Sequence, residues 1–131
     1  MEITISIHQG NEPVAVMRLK GDVDASNMAE VVSKAQELYN NPVRNLILDL
    51  SEVPFISSAG IVALHNIALT YSGDPPRTGK DLHPDVTHSS NARKHVKLLS
   101  PQPGVDRTLE TTGLKLFFKV FSDLETALKS F

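Results

Sequence analysis

No cysteine occurs in the 131 residues. That absence excludes disulfides, thiolate zinc sites and cysteine nucleophiles together. A basic excess is missing too: 13 lysines and arginines stand against 15 aspartates and glutamates, for a formal charge of −2. Proteins that grip a phosphate backbone carry the opposite imbalance, so nucleic acid is not an expected partner. No apolar run approaches the ~18 residues of a membrane span, and no membrane insertion is expected. Met1-Glu2-Ile3-Thr4 lacks the basic-then-apolar form of a secretory leader, so a cytoplasmic location is the expectation. What is present is an ordinary globular balance, 40% hydrophobic and 21% charged. A chain of this length can bury a core of its own, and one domain over 1–131 is expected.

Ile3, Ile5 and Ile7 alternate with Thr4, Ser6 and His8. Period two predicts a strand with one buried face. Gln9 to Pro13 is turn material, and Val14 to Leu19 reads as a second strand, antiparallel to the first because the link is short. Met28, Val31, Val32, Ala35, Leu38 and Tyr39 recur at helical spacing, with Ser26 or Asn27 (paired with Glu30) as cap. Asn40-Asn41-Pro42 ends that helix. The apolar run Leu46-Ile47-Leu48-Asp49-Leu50 predicts a central strand covered on both faces. A second helix starts at Ser57 or Ser58, with Ile61, Leu64 and Ala68 in one row and His65 beside it, half-buried at the surface. Ala59 and Gly60 at its start are small enough to let another backbone come close. Ser72 to Lys94 is polar and proline-containing and reads as a loop insertion over about 72–94. Val96 to Leu99 is a strand, Val105, Leu109 and Thr112 lie on a short helix, and Gly113 suits its C′ position. Leu116 to Phe121 is strand-like, and Ser122 with Glu125 predicts a capping box for a last helix carrying Leu124, Ala127, Leu128 and Phe131. The order β-β-α-β-α-β-α-β-α predicts an α/β fold: a mixed, mostly parallel sheet of about five strands with helices packed against it.

Few constellations carry chemistry. Asp22 and Asp24 could serve as an acid–base pair, but no positioned histidine or lysine nucleophile accompanies them, so no catalytic residue is assigned and no enzyme is expected. They equally close a turn and cap a helix. His83, His88 and His95 match no zinc-ligand spacing, so no metal and no cofactor are expected. Arg77-Thr78-Gly79-Lys80-Asp81 has Asp81 where a phosphate loop needs Ser or Thr for magnesium, and no strand precedes it. Phe117, Phe118 and Phe121 read as core and strand-face residues, since no basic groove accompanies them. Ser57 and Ser58 read locally as an N-cap and its neighbour.

Three segments in this order resemble the STAS family, the sulfate-transporter and anti-sigma-factor-antagonist domain. They are Gly21-Asp22-Val23-Asp24-Ala25; Asp49-Leu50-Ser51 through Phe55-Ile56-Ser57-Ser58-Ala59-Gly60-Ile61; and Leu109-Glu110-Thr111-Thr112-Gly113-Leu114. The middle segment is the specific one. The resemblance implies a bacterial partner-switching component, an anti-sigma factor antagonist that binds an anti-sigma factor with serine-kinase activity. It places the phosphoacceptor on Ser58, with Ser57 as the second candidate, and implies a phosphatase that restores the serine. Asp22, Asp24, Ser57, Ser58, Ala59, Gly60 and Ile61 are then the expected partner-binding residues, in a monomer or weak homodimer. Ser57 stands where the family often has an acidic residue, and Ala59 where some members have a second serine. The alternative is an unphosphorylated STAS adaptor in a stressosome-like scaffold or a lipid-transport complex; a small-ligand sensor is a third reading. A phosphate adds about −1.5 to −2 charges, which a helix N-terminus favours but a dry interface opposes. Asp22 and Asp24 are expected to lie near Ser58 and to sharpen that opposition.

Overall fold

The computed structural model of the chain describes residues 1–9, 12–41, 43–72 and 94–131. The segment Asn45–Glu52 (β3) is buried from Asn45 to Leu50, as a run without alternation requires. It lies in the middle of a five-stranded sheet ordered β1-β2-β3-β4-β5. Glu2–His8 (β1) is antiparallel to Val14–Lys20 (β2); β2, β3, Val96–Leu99 (β4) and Lys119–Phe121 (β5) are mutually parallel. The helices are Met28–Asn40 (α1), Ser58–Ser72 (α2), Pro103–Thr111 (α3) and Leu124–Lys129 (α4). The element order and the mixed, mostly parallel sheet are those expected from the sequence.

Two clusters of apolar side chains flank the sheet. On one face Ala15, Met17, Leu19, Leu46, Leu48 and Leu98 meet Val31 and Ala35 of α1, Leu64 and Ile67 of α2, and Leu109 of α3. On the other, Val14, Val16, Ile47 and Leu99 meet Ala127, with Leu124, Leu128, Phe121 and Phe131 packed around them. Tyr71 of α2 ties the helical layer together, donating its hydroxyl to the carbonyl of Ala35 at 2.8 Å. Burial pushes that hydroxyl's pKa well above the ordinary tyrosine value. Between β2 and β3, the Arg18 guanidinium reaches the buried Asp49 carboxylate at 3.1 Å, and Asp49 also accepts the Ser51 N–H.

Several local expectations are corrected. β1 has no fully buried face: Ile3 is half-buried, whereas Ile5 and Ile7 are 37% and 46% exposed. β1 is an edge strand, and its apolar stripe runs out past the helices that cover β2. His65 is buried, not at the surface, with its ring edge-on to Phe117 at 5.2 Å between centroids. The strand expected over Leu116 to Phe121 shortens to Lys119–Phe121, because Leu114–Leu116 forms a 3₁₀ turn that drives Phe117 and Phe118 into the core. Gly113 does take the C′ position after α3, with φ of 79°. The 72–94 insertion, with His83, His88 and Arg77 to Asp81, lies outside the described residues except at its ends. His95 is described, and its Nδ1 is 3.0 Å from Oδ1 of Asn45.

The capping box expected on Ser122 is also displaced by one residue. Asp123 is the cap of α4, accepting from the N–H and hydroxyl of Thr126 at 2.9 Å each. The Thr126 N–H, then its hydroxyl, hold the Asp123 carboxyl below its ordinary value of 3.8. A depressed carboxyl pKa favours the native state above the unfolded value and loses that effect as pH falls through the native one. Asp123→Ala is therefore expected to lower the melting temperature at pH 7 and to change it less as the pH is taken below about 3.8. Ser122→Ala should leave it unchanged at both. Thermal denaturation followed by circular dichroism across that pH range checks both.

Candidate functional site

After β2 the chain must cross to α1, and its own short polar side chains shape the crossing. Asp24 accepts the N–H of Ser26 at 2.9 Å and the Ser26 hydroxyl as well. The hydroxyl first, and then the N–H, hold the Asp24 carboxyl below its ordinary value of 3.8. Asn27 precedes α1 but makes no side-chain cap bond, so the expected pairing with Glu30 does not form. Its Oδ1 instead accepts the N–H of Asp24 at 3.0 Å, and its Nδ2 donates to the carbonyl of Asp22 at 2.8 Å. Asn27 thus fixes the backbone on both sides of Val23.

Val23 is buried, and its main chain pairs with the loop that leaves β3. Its N–H donates to the Phe55 carbonyl at 3.0 Å, and its carbonyl accepts the Ser57 N–H at 2.9 Å. Val53 and Ile56 turn inward, whereas Phe55 between them is 55% exposed. Ser57 then caps α2: its Oγ accepts the N–H of Gly60 at 3.2 Å, and its carbonyl accepts that of Ile61. Ser58 is the first residue of α2, exposed, with no hydrogen-bond partner for its side chain among the described residues. The two neighbouring serines therefore have different tasks, one structural and one open to solvent.

Gly60 is buried and serves the site from behind. A Cβ there would lie 2.6 Å from the Val23 carbonyl oxygen and 3.0 Å from a Val23 methyl. Only glycine lets α2 enter so close to the Asp22–Asp24 loop. The close backbone approach expected at Ala59 and Gly60 is thus found at Gly60, but Gly60 itself is not on the outer surface where the partner-binding residues were expected. Asp22 is exposed, and Asp24, Ser57, Ala59 and Ile61 are half-buried. Asp22 and Asp24 lie on the loop before α1, Ser57 ends the loop after β3, Ala59 and Ile61 stand at the start of α2, and Val23 joins the two segments.

A shallow depression of about 500 Å³ opens beside this junction. Phe55, Ser57, Ser58 and Ile61 line one side of it, and Thr108 and Thr112 of the α3 region line the other. Neither Phe55 nor the threonines stand out from hydrophobic periodicity as site residues. The available signal was position: Phe55 and Thr112 each lie in a segment that carries the family resemblance. Among the described residues, no group of three or more histidines or acids is placed to hold a metal. No described helix is long and apolar enough to cross a membrane.

A family model described as the STAS domain matches residues 6–72. The chain belongs to the STAS family. No curated protein sequence matches it. Among solved structures, an anti-sigma factor antagonist from Mycobacterium paratuberculosis is 20% identical, with a TM-score of 0.66 over 98% of this chain and 93% of that one. A candidate anti-sigma factor antagonist from Thermotoga maritima is 19% identical, with a TM-score of 0.70 over 95% and 92%. The Bacillus cell fate determinant SpoIIAA in its phosphorylated form is 16% identical, with a TM-score of 0.55 over 96% and 97%. These likenesses show a shared fold that takes in described elements beyond residue 72 as well.

Substituting the two helical glycines separates the close approach from ordinary helix propensity. Gly60→Ala is expected to destabilise the STAS domain by about 1–3 kcal/mol, the usual cost of forcing a group into filled space. Gly104→Ala in α3 meets nothing within 4 Å. It should raise stability by roughly 0.4–1 kcal/mol through the unfolded chain. Equilibrium urea denaturation of the two variants checks the opposite signs.

Proposed function

We propose that this STAS domain is an anti-sigma factor antagonist, switched by reversible phosphorylation at Ser58. It binds an anti-sigma factor with serine-kinase activity through the Phe55 loop, the first turn of α2 and the Asp22–Asp24 loop. The kinase phosphorylates Ser58, the complex separates, and a phosphatase restores the binding form. The observation that carries this reading is the contrast between the serines: Ser57 is engaged in the helix cap, while Ser58 is exposed and unengaged. Membership of the STAS family supports it, as do the names of the structural neighbours and the existence of a phosphorylated form of one of them.

The physical chemistry favours a switch without unfolding. A phosphate on Ser58 brings about −1.5 to −2 charges to the start of α2. Free N–H groups and the helix dipole stabilise negative charge there, so the domain itself tolerates the change. A docked partner does not, because an unpaired charge buried at an interface costs several kcal/mol. With about 1.4 kcal/mol per tenfold in affinity, that is enough to break a complex. Asp22 and Asp24, on the loop that Val23 joins to the start of α2, add negative charge to the same surface and sharpen the repulsion of a docked partner. Phe55 supplies the exposed apolar area from which interface anchors are made.

Incubation with the anti-sigma kinase and ATP, followed by peptide mapping, is expected to place the phosphate on Ser58 and none on Ser57. Ser58→Asp should weaken partner binding by an order of magnitude or more in calorimetry, while Ser58→Ala binds as the parent does. Equal affinities for the two would make the chain a constitutive adaptor and remove the switch. Phe55→Ala should weaken binding by about 1–3 kcal/mol with its melting temperature unchanged, since the ring is not part of the core.

A further inference from the structure

The two edges of the sheet are built differently. β5 is only three residues long and begins with the exposed Lys119, two features that discourage strand pairing. β1 is seven residues long, and its pairing with β2 runs without a break from Glu2 to His8. It contains no proline, no lysine and no bulge. Among the described residues no strand pairs with its outer side, which is a full-length row of main-chain donors and acceptors.

The side chains of β1 add an apolar stripe to that edge. Ile3, Ile5 and Ile7 stand opposite Leu19, Met17 and Ala15 of β2, on the face that α1 and α2 cover. The three β2 residues are fully buried, whereas Ile5 and Ile7 are exposed, as is Met1 at the start of the strand. Three of the five large exposed hydrophobic residues among those described thus belong to one strand and its first neighbour.

We propose that β1 pairs antiparallel with β1 of a second copy of this chain, about a two-fold axis through Ile5. Ile5 is the midpoint of Glu2–His8, so this register uses the whole strand. It sets Ile5 against Ile5, Ile3 against Ile7 and Thr4 against Ser6, so that apolar meets apolar on one face and hydroxyl meets hydroxyl on the other. At the two ends it sets the Glu2 carboxylate, which has Lys20 at 3.9 Å, against the His8 imidazole of the second copy, whose Nε2 lies 3.2 Å from Ser6 Oγ within its own strand. An acid therefore faces a base at both ends of the ladder. Shifting the register by two residues shortens the ladder and loses both acid–base pairs. Shifting it by one sets isoleucines against polar residues. A strand that is complementary to itself in both pattern and charge fits an isologous dimer. The two five-stranded sheets become one continuous sheet, and Ile5 and Ile7 become buried. This interface is separate from the Ser58 surface and does not depend on what docks there.

The absence of cysteine allows a direct test in the full chain. Facing side chains across an antiparallel pair have Cβ atoms about 4.5–5.5 Å apart, which a disulfide can adjust to span. Ile5→Cys should therefore form a covalent dimer under mild oxidation. The two Ile7 positions would be separated by roughly 13 Å along the strands, so Ile7→Cys should cross-link at least an order of magnitude more slowly. Sedimentation of the unmodified chain should show a concentration-dependent dimer. Ile5→Arg should abolish it while its melting temperature matches that of the parent at concentrations low enough for the parent to be monomeric, and Ser58→Asp should leave the dimer intact. A chain that remains monomeric up to millimolar concentration overturns the proposal and leaves the edge to a strand from a different protein. Cross-linking of Ile7→Cys as fast as Ile5→Cys overturns the register.

Discussion

The pairing of Val23 with the loop after β3 is the contact on which the site depends. Two hydrogen bonds, from Val23 to Phe55 and from Ser57 to Val23, join segments that are far apart in the chain. Gly60 extends the junction by bringing the first turn of α2 against the same carbonyl. Asn27 secures it from the other side through the backbone of Asp22 and Asp24. Both loops leave the carboxyl ends of parallel strands, where open α/β sheets commonly place their working residues. Without this junction the acidic loop and the helix start would be two separate surface features.

The junction also explains how so small a surface could carry the regulatory role proposed for it. Its inner side is fully occupied: Val23, Val53 and Ile56 are buried, and Ser57 is held by the helix. Its outer side carries what the fold does not use, namely the Ser58 hydroxyl, the Phe55 ring and the Asp22 carboxylate. A group added on that side disturbs no packing within the domain. Its effect falls on whatever lies against the surface.

Coverage of the sheet is uneven, and the unevenness is informative. α1, α2 and α3 contribute to the larger cluster, while the short α4 covers part of the opposite face. The helices reach Ile3 of β1 but leave Ile5 and Ile7 exposed at an edge where polar residues would suffice for a lone domain. At β5, length and charge guard the edge instead. The contrast concerns how the molecule meets its neighbours rather than how it folds.

The order of elements was legible from the residues because each rests on a local rule. The unbroken apolar run of β3 means burial on both faces, and Gly113 supplies the left-handed residue that ends α3. The middle segment, Phe55 to Ile61, pointed to the candidate site only through its resemblance to the STAS family; read locally, its serines were a helix cap and its neighbour. Other features depended on distant parts of the chain. Alternation in β1 gave the face but not its cover, which depends on where α1 and α2 lie. Adjacent serines are chemically alike, and only the anchoring of the loop by Val23 makes Ser57 the cap and leaves Ser58 outside. Likewise Ser122 and Asp123 both have capping side chains, and the path out of β5 selected Asp123. Propensity and periodicity act over a few residues and are written in the sequence. Exposure is a property of what packs alongside, and only the assembled fold decides it.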